Sequence, residues 1–200
     1  MDKRSADEIT ALTRCTWAAD ADRLMQRYHD REWGTPIKSE RALFELLVLE
    51  GAQAGLSWST VLRKRAAYRA AFARFDPQRV ARYREARVRK LLDDAGLIRN
   101  RAKIESAVNN AKAWLKLRRE HGSIVRFIWR FVDGAPRQNA WKHPDQVPTC
   151  TPQSDAMSAA LRTAGFSFVG TTICYAFMQA TGMVNDHLVG CFRWPELRGS

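Results

Sequence analysis

Two cysteines and two histidines, residue types that commonly bind zinc, lie in pairs near the two ends of the chain. Cys15 precedes His29 near the start, and His187 precedes Cys191 by four residues near the end. At this i, i+4 spacing the second pair would face one side of a helical turn, so both side chains could point at one ion. Four such ligands form a closed tetrahedral zinc site with a structural role, since no position is left for water.

An alternative interpretation of these residues stays open, because cysteine is often a small buried hydrophobe and histidine a satisfied polar group. The other cysteines, Cys150 and Cys174, have no cysteine or histidine at ligand spacing, and we assign them to core or surface positions. The first fourteen residues are charged and contain no apolar run, so neither a signal peptide nor an oxidising compartment is indicated. A disulfide framework is therefore not expected.

A third candidate for chemistry is a carboxylate at the end of an apolar segment. Residues 39–50 read SERALFELLVLE, which predicts a buried helix because almost no polar face remains. Glu50 follows Leu43, Leu46 and Leu47 at helical spacings, so its side chain projects from the apolar side. Burying an unpaired carboxylate is unfavourable by several kcal/mol, and Glu50 therefore needs a partner or a ligand.

The residues around Glu50 suit a pocket for a flat ligand. Gly51 and Gly55 leave space beside the carboxylate, and Trp58 follows them. Three further aromatic residues surround the first cysteine–histidine pair: Trp17, Tyr28 and Trp33. Aromatic faces, together with hydrogen bonds to a base edge, hold a nucleobase that has been turned out of a duplex. The alternative is that Glu50 caps its helix or pairs with an arginine, and the sequence does not decide between these functions.

The composition favours a polyanionic partner. The chain has 200 residues, with 33 lysines and arginines against 21 acidic residues, and a formal net charge of +12. Such an excess of positive charge is typical of proteins that bind nucleic acid. No apolar stretch is long enough to cross a membrane, because even the run from Ala42 to Leu49 is interrupted by Glu45. The length fits one compact domain or two closely joined lobes.

The spacing of the apolar residues is helical throughout, and no convincing alternation indicates a strand. Asp76 and Pro77 predict the start of a helix whose apolar stripe continues as far as Gly96. Another helix is expected to begin at Thr151 and to end at Gly165. These patterns predict an all-α fold.

A tight turn between two predicted helices has the character of a phosphate-binding site. Residues 94–104 read DAGLIRNRAKI, with a glycine at the bend and basic residues at the start of the second helix. Backbone N–H groups at a helix N-terminus bind phosphate together with nearby cations. We assign contact with the DNA backbone to five residues: Gly96, Arg99, Asn100, Arg101 and Lys103.

This turn resembles the helix-hairpin-helix motif, which grips the DNA backbone without reading its sequence. In that motif a second glycine commonly follows two residues after the first, and Ile98 stands at that position here. The alternative is an ordinary helical hairpin with solvated arginines.

Several separated blocks of the sequence resemble one protein family. Arg14-Cys15 is followed by Trp17, and then come YHDREWG at 28–34, LEGAQAGLSWSTVLRKR at 49–65, FVGTTICYAFMQATGMVNDH at 168–187 and the closing Cys191. Together these blocks resemble the 3-methyladenine DNA glycosylase I family, which belongs to the helix-hairpin-helix glycosylase superfamily. The similarity runs from about Arg14 to about Cys191, nearly the whole chain.

The resemblance implies an all-α fold of two closely packed helical lobes with the base pocket between them. It also implies one structural zinc ion that joins the two ends of the chain and is bound by Cys15, His29, His187 and Cys191. We expect three segments: a flexible N-terminal extension at 1–13, a single glycosylase domain at 14–194 and a C-terminal tail at 195–200.

Carried over position by position, the resemblance makes Glu50 the residue that hydrogen-bonds the alkylated base and supports its release. Trp58 is expected to stack on the base and Tyr28 to contact it, with Trp17 as a further wall of the pocket. One position departs from the family, because Met25 stands where many relatives have a second tyrosine. The pocket contact of that tyrosine is therefore in question here.

The implied reaction is hydrolysis of the N-glycosidic bond of 3-methyladenine in double-stranded DNA. Methylation at N3 makes the base cationic, so it leaves as a neutral molecule and needs no strong general acid. The remaining task is to extrude and recognise the base and to stabilise the positive charge that moves towards the sugar. Asp133 lies near the position of the superfamily's usual catalytic aspartate, but in a glycine-containing turn, and receives no catalytic role.

Two competing functions remain. One is a non-enzymatic, zinc-stabilised helical module that binds DNA and in which Glu50 is structural. The other is an enzyme that acts on a different alkylated purine. For the glycosylase we expect a monomer in the bacterial cytoplasm that acts on alkylated duplex DNA and has no membrane partner.

Overall fold

The computed structural model describes residues 12–199, and this part of the chain is mostly helical, as the sequence predicts. It contains eleven α-helices. The first six are α1 (Thr16–Ala19), α2 (Arg23–Arg31), α3 (Glu40–Gln53), α4 (Trp58–Ala71), α5 (Pro77–Val80) and α6 (Glu85–Asp93). The other five are α7 (Arg101–His121), α8 (Ile124–Trp129), α9 (Pro152–Thr163), α10 (Thr171–Ala180) and α11 (Arg193–Glu196).

The strands are as minor as expected. Two strands of two residues each, β1 (Arg137–Gln138) and β2 (Val184–Asn185), pair in parallel, with Arg137 opposite Val184. Three short 3-10 turns lie between the helices, at Ala73–Phe75, Arg130–Val132 and Pro144–Gln146. The strand pairing fastens the loop that follows α8 to the segment that follows α10, directly before His187.

Helix α3 lies in the core because its sequence leaves no polar face. Every residue from Leu43 to Ala52 is buried, including Glu45 and Glu50. The helix packs against α4, α7, α8 and α10, and each leucine or phenylalanine side chain that it buries stabilises the fold by about 1.5–3 kcal/mol. Glu50, in the last turns of this helix, is therefore held at a fixed place in the interior.

The helix ends that the sequence marks with capping residues are confirmed. Asp76 caps α5 by accepting hydrogen bonds from two backbone N–H groups, and Pro77 is the first residue of that helix. Thr151 caps α9 in a capping box with Ser154. The chain leaves α9 through Gly165, whose φ of 93° is a conformation that glycine adopts without strain.

The helix predicted from Pro77 to Gly96 is wrong, because α5 ends at Val80 and α6 begins only at Glu85. The segment between Val80 and Glu85 instead contacts the end of α4. The hydroxyl of Tyr83 donates a hydrogen bond to the carbonyl of Ala71 at 2.9 Å, which satisfies a free acceptor at the end of α4. Apolar residues are too sparse between the two helices to hold a continuous helix against the core.

The two ends of the described chain meet. The backbone N–H of Phe192 donates to the carbonyl of Thr13 at 2.9 Å, and Leu197 is buried beside Gly34. Of the expected N-terminal extension at 1–13, all but the last two residues lie outside the described residues, as does Ser200 of the expected tail. Within the described range no helix combines the length and the apolar character that a membrane span requires.

Candidate active site

The four predicted metal ligands come together in the interior, although they are far apart in sequence. Cys15, His29, His187 and Cys191 are each at most 2% exposed, and their ligand atoms lie within 4.8 Å of one another. The Sγ atom of Cys191 lies 3.4 Å from Nε2 of His29 and 3.5 Å from Nδ1 of His187. Zinc–ligand bonds of about 2.0–2.3 Å place the corners of a tetrahedron roughly 3.3–3.8 Å apart. The donor set and its spacing therefore fit a metal ion such as zinc.

Hydrogen bonds fix the orientation of both imidazole rings. Nδ1 of His29 donates to the carboxylate of Asp30 at 2.8 Å, and Arg14 holds that carboxylate in turn. Nε2 of His187 donates to the backbone carbonyl of Trp33 at 3.1 Å. Because a carboxylate and a carbonyl can only accept, the other nitrogen of each ring is left with a lone pair towards the sulfur atoms. Such contacts select the tautomer that a metal requires.

The two thiols and the two rings interact closely. The hydrogen bond from Cys15 lowers the pKa of Cys191, whereas the bond with Cys191 and burial raise the pKa of Cys15. Burial lowers the pKa of His187. A thiolate beside neutral imidazoles is the protonation state in which such a cluster binds a cation.

The expected placement of His187 and Cys191 on a helical turn is wrong. Both follow β2 in an irregular turn, in which the N–H of Cys191 donates to the carbonyl of Leu188 at 2.8 Å. Strand pairing keeps the backbone extended up to Asn185, and the side chain of Asn185 accepts from the N–H of His187. The spacing of four residues is therefore closed by a turn and not by a helix.

A cavity of about 540 Å³ lies beside the cluster and has the size of a small-molecule site. The structure brings together at this cavity all four residues to which base contacts were assigned: Trp17, Tyr28, Glu50 and Trp58. Met25 also lines it, at the position where the family resemblance leads one to expect a tyrosine. Helix α10 and the loop after the third 3-10 turn close the opposite side.

Aromatic rings form a continuous wall from the cavity to the metal cluster. The ring centroids of Tyr28 and Trp58 are 5.2 Å apart, and Trp17 packs edge-on against Trp33 at 5.1 Å. Trp33 in turn contacts His187 at 4.6 Å. Trp17 remains 39% exposed, so the wall ends in an accessible apolar face.

Glu50 is the buried carboxylate that the sequence predicts, and among residues 12–199 it has no hydrogen bond or salt bridge. Its exposure is 4%, and burial raises its pKa to about 8. The pairing with arginine that was considered for Glu50 occurs instead at Glu45, which binds Arg65 and Arg69. Burial, and then the charge of Glu50, raises the pKa of Tyr28, so this hydroxyl stays protonated and can donate.

Sequence reasoning missed a second buried carboxylate at the same cavity. Asp186 is 2% exposed and lines the cavity together with Tyr175 and Gln179. Its only signal in the sequence is its position directly before His187, where an aspartate would equally suit the support of a metal ligand. The described residues that line the cavity include no lysine, arginine or histidine, although the chain carries a net charge of +12.

The hairpin between α6 and α7 has the tight turn that the sequence predicts. Asn100 caps α7, because its side chain accepts from the backbone N–H of Lys103 at 3.1 Å. Gly96 is required by close packing, since an added Cβ atom there would lie 2.8 Å from Cβ of Ala67 in α4. The turn is thus packed onto α4, the helix whose first residue, Trp58, lines the cavity.

The basic side chains of the hairpin differ in how free they are. Arg99 is exposed and has no salt bridge within the described part of the chain. Arg101 forms salt bridges with Glu85 at 3.2 Å and Glu105 at 3.0 Å. Of these two arginines, only Arg99 has a side chain that is free to contact a phosphate without losing an ion pair.

Lys103 points away from solvent, towards the end of α3. Its Nζ donates to the carbonyls of Ala52 at 2.9 Å and Ala54 at 2.6 Å, and burial lowers its pKa. A cation at the C-terminus of a helix stabilises the exposed carbonyls and the helix dipole. Lys103 therefore fastens the hairpin to the end of the helix that carries Glu50.

The sequence and the fold are similar to those of known proteins. The model of the family described as Methyladenine glycosylase matches residues 17–194. A relative from Escherichia coli (strain K12), named DNA-3-methyladenine glycosylase 1, is 50% identical over 184 residues, which cover 92% of this chain and 98% of the relative. The DNA-3-methyladenine glycosylase of Haemophilus influenzae (strain ATCC 51907 / DSM 11121 / KW20 / Rd) is 46% identical over 90% of this chain and 96% of its own.

Solved structures agree with these relatives. A crystal structure of 3-methyladenine DNA glycosylase I superimposes with a TM-score of 0.88 at 52% identity, over 90% of this chain and 98% of the other. The Staphylococcus aureus 3-methyladenine DNA glycosylase I, studied for its recognition of 3-methyladenine, gives a TM-score of 0.89 at 34% identity, over 92% and 98% of the two chains. The predicted fold class is confirmed. The chain belongs to the methyladenine glycosylase family.

Proposed function

We propose that this protein is a DNA glycosylase that removes 3-methyladenine from duplex DNA by hydrolysing the N-glycosidic bond. The observation that carries the proposal is the cavity, which combines an aromatic wall with the unpaired carboxylate of Glu50 and has no cationic side chain among its described lining residues. A purine methylated at N3 is flat and carries a positive charge while it is attached to the sugar. It matches this cavity in shape and in sign, and the names of the family members support the assignment.

The residues of the cavity divide the work of recognition. Tyr28 and Trp58 hold the extruded base by ring contacts, with Trp17 at the accessible edge, and Glu50 accepts a hydrogen bond from the base. In the empty cavity the raised pKa of Glu50, about 8, keeps the group largely protonated near neutral pH. A cationic base favours the ionised form, so binding strengthens the charge that recognises it.

Bond cleavage then needs little proton chemistry from the protein. When the N-glycosidic bond breaks, its electron pair stays with the base, which becomes neutral, and positive charge builds up on the sugar until water adds. Negative charge in a site without cations stabilises the positive charge that develops on the sugar, and this attraction strengthens as that charge grows towards the transition state. We therefore infer that Glu50 acts in both recognition and catalysis.

We further propose that the Cys15, His29, His187 and Cys191 cluster holds one zinc ion. Four buried donors at tetrahedral spacing and two oriented imidazoles support this assignment. All four positions are occupied by protein ligands, so the ion is structural and takes no part in the reaction.

The substrate is double-stranded DNA, and the hairpin is the proposed contact with its backbone. The exposed side chain of Arg99 and the start of α7, which Asn100 caps, are suited to phosphate, with Arg101 and Lys103 close by. The backbone N–H groups of Gly96 and Asn100 themselves donate to Asp94 and Ile98 within the turn. We propose that the protein acts as a monomer in the cytoplasm of a bacterium, as one expects from a repair enzyme with bacterial relatives.

The competing function, a zinc-stabilised DNA-binding module, differs in one measurable product. Duplex DNA treated with dimethyl sulfate is incubated with the protein, and the released bases are separated by chromatography. A glycosylase releases free 3-methyladenine, whereas a binding module retains the DNA and releases no base. Release of another methylated purine alone would identify the related enzyme instead.

A further inference from the structure

Asp186 is one of three buried carboxylates in the described chain, and its surroundings differ from those of an ordinary paired acid. Glu45 is bound by Arg65 and Arg69. Glu50 and Asp186, in contrast, have no salt bridge among residues 12–199, and both line the cavity. The fold thus places its buried, uncompensated carboxylates at a single site.

Four neutral groups donate hydrogen bonds to Asp186. Its Oδ1 accepts from Asn139 Nδ2 at 2.6 Å and Trp141 Nε1 at 2.8 Å, and its Oδ2 accepts from Tyr175 OH at 2.6 Å and Gln179 Nε2 at 2.8 Å. Amide and indole nitrogens can only donate, so the carboxylate that accepts from them carries no proton. Burial and the bond to Asp186 raise the pKa of Tyr175, which keeps its hydroxyl protonated as the fourth donor.

These neutral donors hold the carboxylate without cancelling its charge. An arginine in their place would neutralise it, as happens at Glu45. Each oxygen of Asp186 already accepts two hydrogen bonds, so its lone pairs are occupied and a ligand gains no hydrogen bond from it. Asp186 therefore acts on a ligand through its charge, and in a buried site that charge is weakly screened.

We propose that Asp186 determines specificity, in that its fixed negative charge makes the cavity selective for cations. The inference rests on the proposed function, in which the ligand is a cationic purine whose charge passes to the sugar during cleavage. Asp186 attracts the positive charge of the bound lesion and stays near that charge as it shifts towards the sugar in the transition state, whereas bound unmethylated adenine is neutral and gains no such attraction. Glu50 adds to this selectivity by direct hydrogen bonding.

The test compares two duplexes that differ only in the charge of an abasic sugar analogue. One carries a pyrrolidine ring, which is protonated near neutral pH, and the other carries a neutral tetrahydrofuran ring. We expect the wild-type protein to bind the pyrrolidine duplex more tightly. In Asp186→Asn we expect that preference to fall by about tenfold or more, with little change in affinity for the tetrahydrofuran duplex.

Asp186→Asn could disturb folding, because the new amide N–H₂ group would face groups that are themselves hydrogen-bond donors. A matched pair of variants at Gln179 therefore tests the charge while Asp186 stays in place. Gln179→Lys places an ammonium group against the carboxylate and neutralises it while Asp186 stays in place. Gln179→Met has similar length and no charge, and it removes a single hydrogen bond. We expect Gln179→Lys to lose the preference for the cationic duplex and Gln179→Met to keep it.

A merely structural Asp186 gives a different pattern. In one such outcome, Gln179→Lys and Gln179→Met both lose affinity for the two duplexes alike. In another, Asp186→Asn and Gln179→Lys still prefer the pyrrolidine duplex. Either result overturns the inference. Failure of the proposed function is distinguishable, because the wild-type protein would then release no base from methylated DNA. A wild-type protein that releases 3-methyladenine while its charge preference is independent of Asp186 contradicts this inference alone.

Discussion

Glu50 forms no salt bridge with any residue in the range 12–199, and the helix that carries it explains why. The neighbouring residues of α3 are apolar and buried, and two arginines of α4, Arg65 and Arg69, are bound to Glu45 on another face of the same helix. The carboxylate therefore turns towards the cavity, where burial raises its pKa to about 8. Its raised pKa results from burial away from water, and no salt bridge within the described residues offsets that burial.

Replacement of this residue by glutamine tests its role in the reaction. Glu50→Gln preserves size but removes the charge and converts one acceptor into a donor. We expect excision of 3-methyladenine to slow by about 1–3 kcal/mol of transition-state stabilisation, the range for hydrogen bonds to charged groups. Single-turnover excision is the measurement, and metal content and affinity for undamaged DNA serve as controls. Excision at the parental rate would show that Glu50 is structural.

The same residue makes stability depend on pH. Between the ordinary glutamate pKa of about 4.3 and the folded value of about 8, the folded protein binds a proton that the unfolded chain does not bind. The free energy of unfolding therefore falls as pH rises through this range, by up to a few kcal/mol. Glu50→Gln lacks this contribution. Urea unfolding of both proteins should show the wild type losing stability relative to the variant towards alkaline pH, and parallel curves would contradict this account.

At the scale of elements, the hairpin and the cavity are joined by one side chain. Lys103, in the first turn of α7, donates to the carbonyls of Ala52 and Ala54 at the end of α3, two and four residues beyond Glu50. The basic side chains of the hairpin are thus divided: Lys103 is hydrogen-bonded inside the protein, Arg101 is paired with two glutamates, and Arg99 is exposed to solvent. DNA bound at the hairpin is thereby connected to the helix that carries the recognition residue.

Removal of Arg99 tests the contact between the hairpin and the DNA backbone. We expect Arg99→Ala to weaken binding to all duplexes alike and to reduce the slope of log affinity against log salt by roughly one unit. Arg119→Ala is the matched control, because Arg119 is also exposed but lies near the far end of α7, about 30 Å away. Fluorescence anisotropy at several salt concentrations measures both. An equal effect of the two variants, or a loss limited to certain sequences, would refute the assignment.

Several elements could be predicted because local residues determine them. The cap at Asp76, the cap at Thr151 and the buried helix before Glu50 all follow from short sequence patterns, and the structure has them. The break after Val80 could not be predicted, because it depends on a hydrogen bond from Tyr83 to a distant carbonyl. Local sequence does not contain such tertiary contacts.

The site shows the same division. Glu50 and the four candidate ligands Cys15, His29, His187 and Cys191 could be singled out from residue type and spacing, and the structure brings these four residues together. The turn at His187 and the role of Asp186 could not, because both depend on strand pairing and on donors that lie up to 47 residues away in sequence. The effective charge of a buried carboxylate depends on its neighbouring side chains, and only the tertiary structure shows which residues these are.

For the whole molecule, the proposed metal site brings together segments near the two ends. Cys15 and His29 precede the buried helix α3, whereas His187 and Cys191 follow nearly all of the remaining helices. A bond between these segments closes a loop that includes almost the entire described chain. The free energy of binding a metal at the proposed site would therefore be part of the free energy of folding.

Loss of one ligand should reveal this coupling. We expect Cys191→Ser to lower the metal content below the one zinc ion per chain of the wild type and to reduce stability by several kcal/mol. Cys150→Ser is the control, because Cys150 is exposed and lies outside the cluster. Elemental analysis and thermal unfolding, each with and without a chelator, measure both effects. The metal site would be excluded if the wild-type protein contained no zinc and its melting temperature did not change when a chelator was added.

The molecule as a whole separates its charges by place. Its net charge of +12 attracts DNA, while the cavity is lined by carboxylates and by no described cationic residue. The central claim is that a methylated purine is held at this cavity. The most direct test is a crystal structure of the protein with 3-methyladenine. We predict the purine ring beside Tyr28 and Trp58 with its edge within hydrogen-bond distance of Glu50, whereas a base bound elsewhere, or an unchanged empty cavity at saturating base, would contradict the account.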